Sequence, residues 1–310
     1  MEGLNIVHLR YALEVDRTKS ISKAAENLYM GQPNLSRAIR ELEESFGITI
    51  FERSSRGIET TLEGKTFLRQ AARILDQVDE LEATFKSGKG HRVKLMFGAP
   101  RSVYISFAWS DFVQQCDMGK MDLIYEETSS MHAVQMTQCG VYNLAVIRYP
   151  TVYQEQIADL LAEKGLTGEL LTEFYACVLL SEQSPAAGFE TLSAEHLQGL
   201  IELHYPDGAV PYVPHAQYFR EECIGTAAGY LSCFNRAPAY EMLSAMPNTF
   251  MLSEPVPQFI QKRYQLLCKK LIPQKKSWQD VLVQRKGYRL SSHEKQLIEL
   301  IEALRERYIR

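Results

Sequence analysis

The stretch Gln32–Gly47, QPNLSRAIRELEESFG, decides how the first part of the chain folds. At about 100° per residue, Leu35, Ile39, Leu42 and Phe46 gather on one side of a helix. Pro33, Ser36, Arg37, Arg40 and Glu44 gather on the other. Pro33 falls in the first turn, where a missing N–H costs no helical hydrogen bond, and Gly47 supplies the left-handed stop. One side is therefore core, and the opposite side carries a hydroxyl and two guanidinium groups.

Working backwards, Ile21, Ala24, Ala25 and Leu28 predict a short preceding helix with Ser22 as its N-cap. Tyr29-Met30-Gly31 makes a tight connection, and Ile6, Leu9 and Leu13 predict an earlier helix. Working forwards, Ile48–Phe51 reads as a strand, Arg53–Gly57 as a turn and Ile58–Thr60 as the returning strand. Two helices packed through alanines, a tight turn and a polar outer face satisfy the requirements of a helix-turn-helix. Gln32, Pro33 and Asn34 lead the second helix, Ser36, Arg37 and Arg40 project outward, and Arg53 and Arg56 sit on the hairpin. Arginine pairs with guanine and Gln or Asn with adenine, while helix N-termini favour phosphate. Double-stranded DNA is the expected partner.

Thr61 can cap the next helix. From Leu62 to about Lys86 the chain has no Pro, and Leu68, Ala71, Leu75, Val78, Leu81 and Phe85 recur at alternating three and four. That heptad-like seam on a helix roughly 35 Å long predicts dimerisation with a second copy. The expected divisions are 1–61 for the winged helix-turn-helix, 62–90 for the linker helix and hinge, and 91–310 for the remainder. Within 91–310, one lobe should hold about 91–165 and 269–310, and the other about 166–268.

Composition bounds the possibilities. With 310 residues, 45% hydrophobic and 23% charged, the chain exceeds what one core usually serves and can pack more than one. Disorder and collagen-like repeats are excluded, as is a helical membrane span, since no stretch approaches about 18 apolar residues. The net charge of −4 excludes coating nucleic acid by bulk charge. Even residues 17–73 hold only ten Lys or Arg against seven Asp or Glu. DNA binding should then rest on a few placed arginines and on dimeric avidity. Met1–Arg10 lacks a secretory pattern, which predicts a cytoplasmic protein. The six cysteines form no C-x-x-C pair and have no histidine at ligand spacing, so reduced thiols are expected, with no metal and no cofactor.

Beyond the linker Ser87-Gly88-Lys89-Gly90 the pattern alternates. Val93–Phe97, Asp122–Glu126 and Asn143–Ile147 read as strands, with helices at Val103–Gln115 and Met131–Gln138 between them. This rhythm predicts an α/β architecture built on a parallel sheet. Gln154–Lys164 is helical, Glu173–Leu180, Gly199–His204, Thr249–Leu252 and Asp280–Arg285 are strand-like, and Tyr240–Ala245 is a short helix. Ser291-Ser292-His293-Glu294 is a capping box opening the last helix. No P-loop, G-x-S-x-G elbow, H-E-x-x-H or dinucleotide-binding glycine pattern occurs, so no catalytic residue is assigned and an enzyme is not expected.

The motifs S-I-S-K-A-A-E-N-L, G-Q-P-N-L-S-R-A-I-R-E-L-E, I-F-E-R and T-x-x-G, spread over roughly residues 3–88, closely resemble the LysR-type transcriptional regulators. The resemblance implies a winged helix-turn-helix and dimerising linker helix, followed by a two-lobed effector domain similar to type 2 periplasmic binding proteins. It implies a homodimer that assembles into a homotetramer on promoter or operator DNA, tuned by a small molecule. It also places Ser22 with Gln32, Pro33, Asn34, Ser36, Arg37, Arg40, Arg53 and Arg56 among DNA-facing positions. RNA polymerase is a further candidate partner. Two departures stand out: Gly31 replaces a usual Ser, and Thr60 replaces a usual apolar residue, which predicts a more loosely packed wing. The C-terminal half aligns weakly, through Asn143–Ile147 and Tyr288–Ser291.

Ligands of open α/β lobes bind beyond the carboxyl ends of the strands, in the cleft between lobes. Those ends bring Pro100, Arg101, Ser102, Ser129 and Arg148 from one lobe and His204 and Tyr205 from the other. Two arginines with hydroxyls and helix N-termini predict a small anionic effector, such as a carboxylate. The alternative reading makes Arg101 and Arg148 surface or inter-lobe salt-bridge residues, and His204 reads more readily as a structural residue. The competing expectation is a cytosolic solute-binding module whose helical head binds protein and not DNA.

Overall fold

The structure, a computed structural model, describes residues 5–54, 57–86, 92–206 and 210–309. The chain divides into two compact units, Met1–His91 and Arg92–Arg310.

The first unit consists of α1 (Ile6–Thr18), α2 (Ile21–Asn27), α3 (Gln32–Phe46), the hairpin β1 (Phe51–Ser54) and β2 (Gly57–Thr60), and α4 (Leu62–Lys86). Leu9, Ala12 and Val15 of α1, Ala24 and Ala25 of α2, and Leu35, Ile39 and Leu42 of α3 close one core with Ile50. Phe46, expected inside, is 47% exposed at the end of α3 and packs edge-on against Phe67 with centroids 5.0 Å apart. The cap of α2 is Ser20, whose Oγ accepts from Lys23 N at 3.3 Å, and not Ser22. Ser20 has the extended backbone a cap needs, whereas Ser22 is already within the first helical turn. The hairpin begins three residues later than its sequence suggests. Before it, the N–H groups of Ile50 and Phe51 donate to Glu43 Oε1 at 2.7 and 3.0 Å, which ties the wing to α3.

Thr60 does not loosen the wing. Its hydroxyl bonds to Asp16 Oδ1 of α1 and receives Lys19 Nζ at 3.2 Å. Thr61 Oγ1 accepts from Gly64 N at 2.8 Å and donates to Thr49 O at 2.6 Å. The seam of α4 also needs correction. Leu68, Ala71 and Leu75 are 5%, 1% and 5% exposed within one chain, packed in the same core as α1 and Ile50. They are spent on the unit's own interior, so they cannot meet a second copy. Val78 is half-buried; the side chains of Leu81 and Phe85 lie outside the described residues.

The second unit is built on two sheets. β3 (Val93–Ala99), α5 (Val103–Gln115), β4 (Met121–Glu127), α6 (Ser130–Gln138), β5 (Leu144–Pro150), α7 (Gln154–Glu163) and β6 (Leu166–Tyr175) come first. After them come β7 (Cys177–Ser181), β8 (Thr191–Leu192), β9 (Ile201–His204), α8 (His215–Glu222), β10 (Gly229–Ser232), α9 (Arg236–Ala245) and β11 (Thr249–Ser253). α10 (Gln258–Tyr264), β12 (Leu266–Leu271), β13 (Ser277–Arg285) and α11 (Ser292–Tyr308) complete it. The first sheet has the order β4-β3-β5-β13-β6 and the second β10-β9-β11-β7-β12-β8. Neither is wholly parallel: β13 runs antiparallel to both β5 and β6, and β7 runs antiparallel to both β11 and β12. Two strand-like segments thus run against their neighbours, one in each sheet, where sequence alternation alone shows no direction. β6 accordingly belongs to the first lobe, because it pairs with β13 along its whole length. The lobes divide at Ala176, whose N–H meets Lys276 O at 2.9 Å, and not near residue 165.

Gly64 is required by close approach: a Cβ there would lie 2.3 Å from the Ile50 carbonyl oxygen. Since backbone cannot swing aside, Gly64→Ala should destabilise the first unit by about 1–3 kcal/mol, read as a lower thermal midpoint. An unchanged midpoint would show that α4 shifts freely against Ile50.

Candidate nucleic-acid interface and ligand cleft

Gln32, Pro33, Asn34, Arg37 and Arg40 lie on the outer side of α3, with Ser36 among them. Gln32, Pro33, Asn34 and Arg40 are exposed, and Ser36 is half-buried. The opposite side of α3 is anchored by Leu35, Ala38, Ile39 and Leu42, so its outer side is rigidly presented. Ser22 is exposed and its Oγ donates to Gln32 Oε1 at 3.3 Å, joining the two helices at the leading end. Arg56 and the side chain of Arg53 lie outside the described residues. Gly31, the N-cap, offers no side-chain acceptor to the first turn.

Two positioning residues escape a reading of the sequence alone. Glu14 accepts from Arg17 at 2.6 and 2.8 Å and from Asn27 Nδ2 at 2.7 Å, fastening α1 to the end of α2. Those hydrogen bonds, Arg17's first, hold its carboxyl down at about 2. Tyr29 adopts a left-handed backbone, φ 53°, and is 98% exposed ahead of α3. The tight turn therefore rests on Tyr29, although Gly31 is the residue free to adopt such a φ.

In the second unit, a cleft enclosing about 660 Å³, solvent at its mouth included, is lined by Arg101, Arg148, His204, Tyr205, Tyr240 and Trp278 together with Glu202, Glu222 and Glu254. Four of the expected effector residues, Arg101, Arg148, His204 and Tyr205, are thus brought together. Pro100, Ser102 and Ser129 do not line it. Pro100 and Ser102 are buried, and Ser129 caps α6 by accepting from His132 N at 3.4 Å.

Arg148 is not an uncompensated cation. It sits opposite Asp280 in the β5–β13 register, and its Nε and Nη2 donate to Asp280 at 2.7 Å each. Nη2 also reaches Glu254 Oε2 at 2.5 Å, and the guanidinium lies 4.8 Å over the Phe174 ring. Burial works against the charge, but the two carboxylates outweigh it and raise the Arg148 pKa well above its ordinary value. Tyr104 Oη donates to Asp280 Oδ2 at 2.7 Å, and burial, with Asp280 beside it, drives that phenol up.

Arg101 likewise serves the fold. Its Nε donates to Phe234 O at 2.6 Å, and its guanidinium stands 5.0 Å from the Tyr205 ring centroid. Arg236 reaches Glu127 at 2.8 Å and Ser106 Oγ at 3.0 Å. Three arginines therefore join the two sheets. His204 is held against Ser232 Oγ at 2.9 Å. Glu202 and Glu254 are absent from the expected set, although an acid inside the apolar run Leu200–Leu203 is a visible anomaly. Among the described residues no group of His, Cys, Asp and Glu could hold a metal ion, and no helix is long and apolar enough to cross a membrane.

Residues 6–65 match the family described as bacterial regulatory helix-turn-helix protein, lysR family. The transcriptional regulator BenM of Acinetobacter baylyi is 42% identical over 83 residues, 27% of each chain. The uncharacterized regulator YcgK of Bacillus subtilis is 29% identical over 151 residues, 47% of this chain and 46% of its own. These matches span between a quarter and about half the length of the relatives concerned. Among solved structures, full-length CbnR in complex with its target DNA aligns with a TM-score of 0.59 at 16% identity, covering 97% of this chain and 100% of that one. A full-length OxyR variant from Pseudomonas aeruginosa aligns at 0.56 and 17% identity, covering 98% and 96%. The fold is thus that of an α/β protein with an N-terminal winged helix-turn-helix and a two-sheet C-terminal part. The likeness to the LysR-type regulators holds, and residues 6–65 are a helix-turn-helix domain of that family.

Glu202 supplies a pH test. Burial pushes its carboxyl up to about 8 from 4.5, against the pull of the Ile224 N–H and Lys276. Between those two values the folded chain keeps a proton that the unfolded chain has lost, so stability falls as pH rises through that window. Glu202→Gln retains an acceptor for Ile224 N. It should stabilise the second unit at pH 8 and hardly at all near pH 4.5. Thermal midpoints across pH check this; equal gains at both ends would contradict it.

Proposed function

We propose that the chain is a cytoplasmic, DNA-binding transcriptional regulator of the LysR type, without catalytic activity. The observation that carries this reading is the rigid outer side of α3, where Arg37 and Arg40 stand opposite the buried side of the helix within a segment matching the family. In this reading Gln32, Asn34, Arg37 and Arg40 read base edges, Ser22, Pro33 and Ser36 lie against the backbone, and Arg53 and Arg56 on the wing contact the flanking groove or phosphates. The similarity to a DNA-bound full-length chain supports the fold on which that reading depends.

In the same reading a small-molecule effector binds in the cleft lined by Arg101, Arg148, His204 and Tyr205. Such a ligand regulates only through unequal affinity for two arrangements of the lobes. Pairing falls to the outer part of α4, where Val78, Leu81 and Phe85 continue the heptad spacing, and two dimers then assemble into a tetramer on promoter or operator DNA. RNA polymerase is a further candidate partner of the DNA-bound form.

Arg37→Ala and Arg40→Ala should each weaken operator binding by about 1–3 kcal/mol while the second unit stays folded. Titration at fixed salt against the DNA upstream of the chain's own gene reads this. Normal affinity in both variants would refute the DNA-reading role of that side. Lysine at both Val78 and Leu81 should halve the sedimenting mass; an unchanged mass would place the pairing surface elsewhere.

A further inference from the structure

We propose that Glu254 is a built-in carboxylate ligand: it fills an anion site at the N-terminus of α5 and joins the two lobes without a free carboxylate. This rests on the effector reading and deepens it by assigning the chemistry of one part of the same cleft.

The site is made by the first lobe and filled by the second. Val103 N, the first helical amide of α5, donates to Glu254 Oε1 at 2.6 Å. Ser102 Oγ lies 3.1 and 2.9 Å from the two carboxylate oxygens. Arg148 Nη2 completes the set on Oε2 at 2.5 Å. A helix-terminal amide, a hydroxyl and a guanidinium converging on both oxygens are what a bound carboxylate requires. Ser102 is 0%, Val103 1% and Glu254 3% exposed, so water does not compete for these donors. The carboxylate arrives from the loop that follows β11 in the second sheet, more than a hundred residues from α5 in sequence. Arg148 and Ser102, two of the groups from which the sequence predicts an anionic effector, are therefore already bound to an anion belonging to the chain.

A tethered carboxylate holds its site at an effective concentration that a free acid must exceed. The intact protein should consequently ignore small carboxylates there, and the rest of the cleft, bordered by Glu202, Glu222, Tyr205 and Tyr240, is left to recognise an effector by other groups. Removing the carboxylate while keeping the donors should turn the position into an acetate site.

The experiment compares full-length wild type, Glu254→Ala and Glu254→Gln by thermal unfolding in sodium acetate and in sodium chloride of equal ionic strength at pH 7. Glu254→Ala should melt below wild type in chloride and recover saturably with acetate. Its half-saturating concentration should be at least about tenfold below that of any wild-type response. Glu254→Gln, whose amide still fills the space, should not respond. If Glu254→Ala does not fold in chloride, acetate during refolding should restore it, and failure to do so counts against the proposal. An acetate effect no larger than that of chloride, or an equal effect on wild type, overturns it. The readout needs no DNA, so loss of operator binding in the Arg37 and Arg40 variants leaves it untouched, and the reverse also holds.

Discussion

The second unit depends on one half-buried cation held between two buried acids. Arg148 stands between Asp280, its cross-strand neighbour, and Glu254 from the other sheet. Asp280 is 0% and Glu254 3% exposed, so each would cost several kcal/mol if left unpaired in that setting. Replacing such a cluster with apolar groups is often neutral for stability, which means that its presence is not explained by stability alone. What it does supply is register. Arg148 satisfies both acids only when β13 lies beside β5 and the loop after β11 reaches the N-terminus of α5. The charge cluster therefore specifies how the two sheets meet, and the Arg101 and Arg236 contacts repeat that specification at other points.

In the first unit the equivalent constraint is steric. Gly64 lets the first turn of α4 approach the Ile50 carbonyl closely. Thr61 uses its one hydroxyl both to cap α4 and to bond Thr49, and Glu43 occupies the amides of Ile50 and Phe51. Strand, helix and wing are consequently joined within a few residues, and the outer side of α3 inherits its rigidity from them.

Much of this is legible in the sequence. The 3.6-residue spacing in α3 shows which side is core, and Ser291 with Glu294 forms the capping box its pattern predicts. What is not legible depends on distant pairing. Ser20 and Ser22 are equally good caps by composition, and only the backbone at Ser20 distinguishes them. β13 reads as a strand but carries no sign of its direction. Arg148 reads equally as a ligand cation or as an ion-pair residue until Asp280, 132 positions away, is found opposite it. The heptad-like spacing of α4 reads as one seam because periodicity records that a side is apolar and not what covers it.

That last distinction bears on how a weakly charged reader would hold DNA under the proposed function. Residues 17–73 carry only three more basic than acidic groups, so few counterions are released on binding and one domain alone gains little affinity. Two domains joined as one body gain avidity without added charge, provided their separation is fixed. In the proposed dimer a division of α4 would meet both needs. Leu68, Ala71 and Leu75 are buried in the reader's own core, so the helix cannot pivot against the domain it leaves. The outer turns of α4 would then set the pairing in the proposed dimer. A helix used wholly for dimerisation would leave each reader on a hinge; one used wholly for the core would leave it single. In the proposed dimer, sharing one apolar seam between the two tasks would make the spacing between recognition helices a property of the fold.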